Sequence, residues 1–319
     1  MQHLYFCACA PDGGIYHYIM APGGELRFCE KLPLDRPMYM VLQDRKAYIL
    51  LREIDPVRRH GGLAVCDIAA DGRLCPPKTV EDTGGIVPCH LCVWDGAVYI
   101  ANYLSGNVVK LPGGKTALHS GRGPHPTRQA AAHTHFVAPA PDGNLLCTDL
   151  GLDTVFTYDR ELNELGRAQV PPGSGPRHLA VSADGQWVYC VNELGNSVSV
   201  FAYTAGRLRL QNTCAALPGY RGQSTAAAIR LRGEYLFISN RGADTITRFL
   251  CRGNALQLLE NTPCGGQGPR DFDIVGQHIF CTNEGSGTVT VLRLENGRPV
   301  LTDTVLQMEA PLCVCAAAW

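Results

Sequence analysis

From Gly175 to Val200 the chain reads GPRHLAVSADGQWVYCVNELGNSVSV. Two apolar, β-prone runs, Leu179–Ser182 and Trp187–Val191, flank Ala183-Asp184-Gly185-Gln186, where Asp-Gly favours the positive φ of a tight hairpin turn. A turn centred near Asp184 and Gly185 sets Arg177 opposite Glu193 at the open end of that hairpin. The same unit returns about every 45 residues, a period that belongs to sheets repeated around an axis. It starts at Arg36-Pro37 (PMYMVLQDRKAYILLREI), Pro88 (PCHLCVWDGAVYIANYLSGNVVKL), His133 (HTHFVAPAPDGNLLCTDLGLDTVFTYD), Pro176, Thr225 (TAAAIRLRGEYLFISNRGADTITRF) and Pro269 (PRDFDIVGQHIFCTNEGSGTVTVLRL). No helical periodicity competes with it.

The termini carry the two halves of one more unit. LYFCACAPDGGIYHYIM at the start supplies only the later strands, and Pro311-Leu312-Cys313-Val314-Cys315-Ala316 at the end supplies a lone first strand. A chain whose last strand completes its first sheet leaves no sheet edge open. The expected fold is therefore all-β: a single domain over 1–319, a seven-bladed β-propeller with the C-terminal strand completing the first blade. The blade units are placed near 1–30 plus 311–319, 36–75, 88–115, 133–165, 176–210, 225–256 and 269–300. A pair of β-sandwiches would need neither the shared internal register nor the complementary termini. The segment Leu118–Gln129, rich in Gly, Pro, His and Arg, is the longest irregular connection and reads as a solvated loop between blades, with a lid as the alternative.

Composition narrows the partners. With 28 Lys plus Arg against 29 Asp plus Glu, nothing points to nucleic acid or an anionic membrane. MQHLYFCACAPDGG has neither a charged leader nor an apolar core, and no run approaches the roughly 20 apolar residues of a membrane-spanning helix, so a cytoplasmic location is expected. Fifteen cysteines, an odd number, argue for reduced thiols. Cys147, Cys190 and Cys281 recur where Ile100 and Ile238 stand in other units, which is the behaviour of a small buried hydrophobe. Cys89-His90-Leu91-Cys92 lacks a second pair at zinc-site spacing, and its two cysteines would face opposite sides of a strand. Neither a metal nor any other cofactor is expected, since the glycines fall in hairpin turns and not between a strand and a helix. The sequence leaves the oligomeric state open.

Aligning the units superposes Arg177, His135, Arg270 and Cys89 on the innermost strand, and Glu193, Arg241, Glu284, Tyr103, Leu150 and Glu53 at the end of the next. Rotation about one axis would bring such positions together around a central mouth. The ionisable members are more than strand propensity favours. Arg270 and Glu284 read best as a cross-strand ion pair of about 0.2–1 kcal/mol. For Arg177 and Glu193, flanked by His135 and Arg241, catalysis is the preferred reading. A carboxylate beside Arg and His can take a proton from water, while guanidinium groups bind a phosphate or an oxyanion. The catalytic candidates are Glu193, His135 and Arg177, with Glu193 and His135 both open as the base; Arg241, Arg270 and His133 are candidates for holding substrate or its phosphate. His178, which should face away from Arg177, reads as structural, and His125 is uncommitted.

GPRHLAVSADGQWVYCVNELGNSVSVF, with His135 in HTHFVAPAPDG, Arg241 in SNRGADTI and the last PRDFDI, resembles the seven-bladed lactonase family. That family contains the propeller-type 6-phosphogluconolactonases and the fungal carboxy-muconate lactonising enzyme. The likeness runs from about Arg36 to the C-terminus. It implies metal-free hydrolysis of a phosphosugar lactone, 6-phosphogluconolactone, to 6-phosphogluconate in the pentose phosphate route. It also implies a His, Arg, Glu, Arg quartet at His135, Arg177, Glu193 and Arg241. One departure is Ala228 in TAAAIRL, where the bacterial lactonases carry an acid, followed by a turn shortened to Arg232-Gly233. A different lactone, the reverse ring closure, or a non-catalytic binding propeller are the alternatives.

Overall fold

The computed structural model describes residues 1–317. It holds seven four-stranded antiparallel sheets, the blades of an all-β, seven-bladed β-propeller. Apart from strands, the only regular element among the described residues is a 3₁₀ turn at Leu150–Leu152. No helix is long and apolar enough to cross a membrane.

The chain divides into two compact units, residues 1–88 with 264–319, and residues 89–263. In the first unit, strands Gln2–Ala8, Gly14–Met20 and Leu26–Pro33 are completed by the C-terminal strand Pro311–Ala317, which pairs antiparallel with Gln2–Ala8. Positions 318 and 319 of the expected half-unit lie outside the described residues. This unit also contains the second blade, Pro37–Gln43 to Val80–Ile86, and the seventh, Pro269–Val275 to Arg298–Gln307.

The second unit holds blades three to six, each running from an inner strand outward. These inner strands are Pro88–Trp94, Thr134–Pro139, Pro176–Val181 and Thr225–Arg232. The two middle strands of a blade are mostly apolar and almost wholly buried, as in Trp187–Asn192 and Ser197–Thr204. Cys147, Cys190, Cys281, Ile100 and Ile238 are each fully buried, as expected of a shared core position. The fourth strands are mixed and half exposed, so they read weakly in sequence. They end at Pro33, Ile86, Leu118, Gln169, Ala215, Pro263 and Gln307, beyond the limits the repeat suggests.

The hairpin register differs from the sequence reading in an instructive way. Val181 pairs with Val188 and Leu179 with Cys190, but Pro176 pairs with Asn192, so Arg177 is an extra residue in a β-bulge. Glu193 lies opposite Gly175, whose carbonyl accepts from the Glu193 N–H at 2.7 Å. Of the Asp-Gly pair only Gly185 takes a positive φ, 71°. Arg177 therefore does not face Glu193 along the ladder; the bulge turns its side chain there. The same irregularity occurs at Met38, His135, Arg270 and Leu312, and at Ala227-Ala228, which together oppose Ser239. Inner-strand bulges are a repeated feature of these blades, and bulges re-aim side chains. In the sixth blade Arg232 pairs with Tyr235, so the short turn is Gly233-Glu234 and not Arg232-Gly233.

Candidate active site

Glu193 ends its strand as a carboxylate almost wholly shut from solvent and touched by three guanidinium groups. Its Oε2 lies 3.0 Å from Arg177 Nε and 3.1 Å from Arg241 Nη2. Its Oε1 lies 2.5 Å from Arg128 Nη2. Burial alone would push this carboxyl up, but Arg241, Arg177, His135 and Arg128 outweigh it and hold Glu193 well below the usual carboxylate range. Three Arg against one Glu leave a formal excess of two positive charges, before any histidine is counted.

Arg177 is buried and fixed at both ends. Thr148 donates its hydroxyl to the Arg177 carbonyl at 2.7 Å, and Arg177 Nη1 donates to the carbonyl of Ala227 at 2.8 Å. That acceptor comes from the bulge of the sixth blade, where Ala226, Ala227 and Ala228 are all fully buried. Arg241, at the end of Tyr235–Arg241, donates to the carbonyl of Ala226 at 3.2 Å as well as facing Glu193.

His135 is buried on its bulge, with Tyr103 edge-on at 5.6 Å and His178 edge-on at 5.2 Å between ring centroids. His178 does not face away, as strict alternation requires. The adjacent bulge brings its Nε2 to 3.3 Å from Arg177 Nη1. An arginine can only donate, so that nitrogen accepts and the ring is neutral. Burial first, then the charges of Arg177 and its neighbours, holds His178 well below the ordinary histidine value. His90 continues the row at 5.3 Å from His178, its Nδ1 accepting from Val137 N at 3.4 Å; burial, Arg230 and Arg177 lower it to about 3.

His133 stacks on Tyr103 at 4.4 Å, with its Nδ1 2.9 Å from the Tyr103 carbonyl. Its N–H is held by Asp149, which also meets His119 Nδ1 at 2.6 Å, while His119 Nε2 meets the Tyr158 hydroxyl at 2.6 Å. Arg270 belongs to the other unit, where it pairs with Glu284 at 3.1 Å, partly exposed.

The four quartet positions His135, Arg177, Glu193 and Arg241 thus all lie in one unit, with three of them in direct ion-pair contact. The sequence reading missed Arg128, because it sits in the irregular segment where no repeat register points to it. The solvated-loop expectation fits most of that segment, which is largely exposed, but not its end: Gln129 is fully buried and Arg128 is fastened to Glu193. The available signal was only that loops on rigid scaffolds carry function.

Comparison with known proteins identifies the family. A family model described as "Lactonase, 7-bladed beta-propeller" matches residues 4–317. The 6-phosphogluconolactonase of Bacillus subtilis is 30% identical over 307 residues, covering 88% of this chain and 87% of that protein. Among solved structures, the periplasmic gluconolactonase of Pseudomonas aeruginosa is 26% identical with a TM-score of 0.89, covering 100% of this chain and 99% of that one. A Lactobacillus plantarum protein matches with the same identity and TM-score over 100% of both chains.

Proposed function

Because the chain belongs to the seven-bladed β-propeller lactonase family and is accordingly a lactone-hydrolysing esterase, we propose that its substrate is a sugar lactone bearing an anionic group, namely 6-phosphogluconolactone. The observation that carries this reading is the cluster of three guanidinium groups around one buried carboxylate, with two positive charges in excess. Guanidinium forks are suited to phosphate and to an oxyanion. A phosphorylated substrate goes with a cytoplasmic location and the pentose phosphate route.

In the proposed reaction His135 is the base. Glu193 already accepts from three arginines and holds its proton weakly, which makes it a poor base and a good organiser of the cations. Water adds to the lactone carbonyl carbon as its proton passes to His135. The carbonyl oxygen becomes an oxyanion beside Arg177 and Arg241. Collapse breaks the bond to the ring oxygen, which takes the proton back from His135, and the new carboxylic acid ionises. His133 remains a proposed substrate contact, by way of its stack on Tyr103.

The test is acid release from freshly made 6-phosphogluconolactone, read against the spontaneous rate. Acceleration is expected, with His135→Gln lowering kcat by about 10²- to 10⁴-fold and Arg177→Ala by about 10²- to 10³-fold. A wild-type protein that leaves the spontaneous rate unchanged would end this reading. The name of the Pseudomonas relative favours a second reading, an unphosphorylated gluconolactone, and the same assay with that lactone separates the two.

A further inference from the structure

The three arginines on Glu193 are not equivalent. The Arg177 side chain is 3% exposed, that of Arg241 19% and that of Arg128 41%. Arg177 and Arg241 share Oε2 and each also donates to a main-chain carbonyl of the sixth blade. Arg128 reaches the other oxygen, and its second contact is the Tyr103 hydroxyl at 3.3 Å. If Arg128 moves off Oε1, the carboxylate still keeps two buried or half-buried cations.

The segment that presents Arg128 is built, not slack. Gly123 N donates to the Gln129 carbonyl at 2.9 Å and Gln129 N to the His125 carbonyl at 3.1 Å. His125 Nδ1 accepts from Arg128 N at 3.2 Å, while His125 N donates to Gln129 Oε1 at 3.0 Å. Gln129 Nε2 donates to the Leu150 carbonyl and to Asp153 Oδ1, both at 2.8 Å. Asp153 in turn accepts from Gly175 N at 2.7 Å, and Gly175 is the residue whose carbonyl holds the Glu193 N–H. Arg128 and Glu193 are therefore positioned from one common support, with the arginine on the solvent side.

Building on the reading of an anionic lactone, we infer that Arg128 is the specificity-determining residue that reads the substrate's phosphate. Glu193 and Tyr103 hold the guanidinium in place. The incoming phosphate takes it over, while Arg177 and Arg241 stay with the carboxylate at the reacting carbonyl. A lactone without phosphate gains nothing from this exchange, so the arginine confers discrimination between charged and neutral lactones.

The experiment measures kcat/KM for 6-phosphogluconolactone and for gluconolactone, and calorimetric binding of 6-phosphogluconate and gluconate. The proteins are wild type, Arg128→Met, Arg128→Lys and Arg122→Ala, Arg122 being exposed in the same segment. Arg128→Met should lower kcat/KM for the phosphorylated lactone by about 10- to 100-fold, with a smaller loss on gluconolactone, as expected for one charged hydrogen-bonding group. Arg128→Lys should recover part of the preference, and Arg122→Ala should keep it. Equal losses on both lactones, an unchanged preference in Arg128→Met, or the same collapse in Arg122→Ala would overturn the inference. If the wild type hydrolyses neither lactone but binds 6-phosphogluconate through Arg128, the proposed reaction falls while the phosphate-reading role stands. If it hydrolyses the phosphorylated lactone with no change in Arg128→Met, the reverse holds.

Discussion

At the scale of single residues, the neutral histidines next to a cluster of cations set an acid limit on the fold. His90 is buried and lowered to about 3 by burial, Arg230 and Arg177. A histidine whose folded pKa lies below its unfolded value, about 6.5, adds stability above that value. That contribution is lost progressively as pH falls from about 6.5 toward about 3. Urea denaturation between pH 7 and pH 4.5 should show a steeper loss for the wild type than for His90→Gln. The slope difference is up to about 1.4 kcal/mol per pH unit, the value for one proton. Parallel curves would show that His90 takes up its proton in the folded protein as readily as in the unfolded chain. Glu193 acts in the same sense but lower on the scale, since its depressed carboxyl stabilises above the ordinary carboxylate range and protonates only in strong acid.

At the scale of the element, the fifth, sixth and seventh blades couple a polar latch to a bulge. Asn192 Nδ2 donates to Ser197 Oγ and Ser199 Oγ, both at 2.9 Å, and Asn240 and Asn283 bond Thr247 and Thr290 in the same way at 2.7 and 2.9 Å. The latch closes the second strand onto the third immediately before the site position, Glu193 or Arg241. In the fourth blade Asp149 replaces Asn, and as an acceptor it takes His133 N and Leu152 N. Asn192→Ala leaves two buried hydroxyls short of a donor and should cost about 1–3 kcal/mol. An unchanged urea midpoint would remove the latch from the account. The bulges work on side-chain direction, and without the extra residue at Arg177 the alternation of the strand would send its guanidinium elsewhere.

At the scale of the molecule, the C-terminal strand covers what would otherwise be the open edge of Gln2–Ala8. Leu312, Cys313 and Val314 are buried by that pairing. Burying an aliphatic side chain of this size is worth about 1.5–3 kcal/mol, so deleting the chain from Pro311 onward should remove several kcal/mol and expose an unpaired strand. The truncated protein should be insoluble or unfold at a much lower urea concentration. A soluble truncation with an unshifted midpoint would contradict this.

The blade number, the strand order and the split first blade were legible in the chain because a hairpin writes its period, its turn and its two-sided apolar strands locally, and because half-units at the two ends complement each other. The conjunction of His135, Arg177, Glu193 and Arg241 was legible through the same repeat. What only the tertiary structure decided was the aim of the side chains. A bulge moves one residue out of alternation without altering composition, so the contact of His178 with Arg177 could not be counted from the strand. An irregular segment has no register at all, so the arrival of Arg128 on Glu193 rests on long-range hydrogen bonds, from Gln129 to Leu150 and Asp153, that no local pattern encodes.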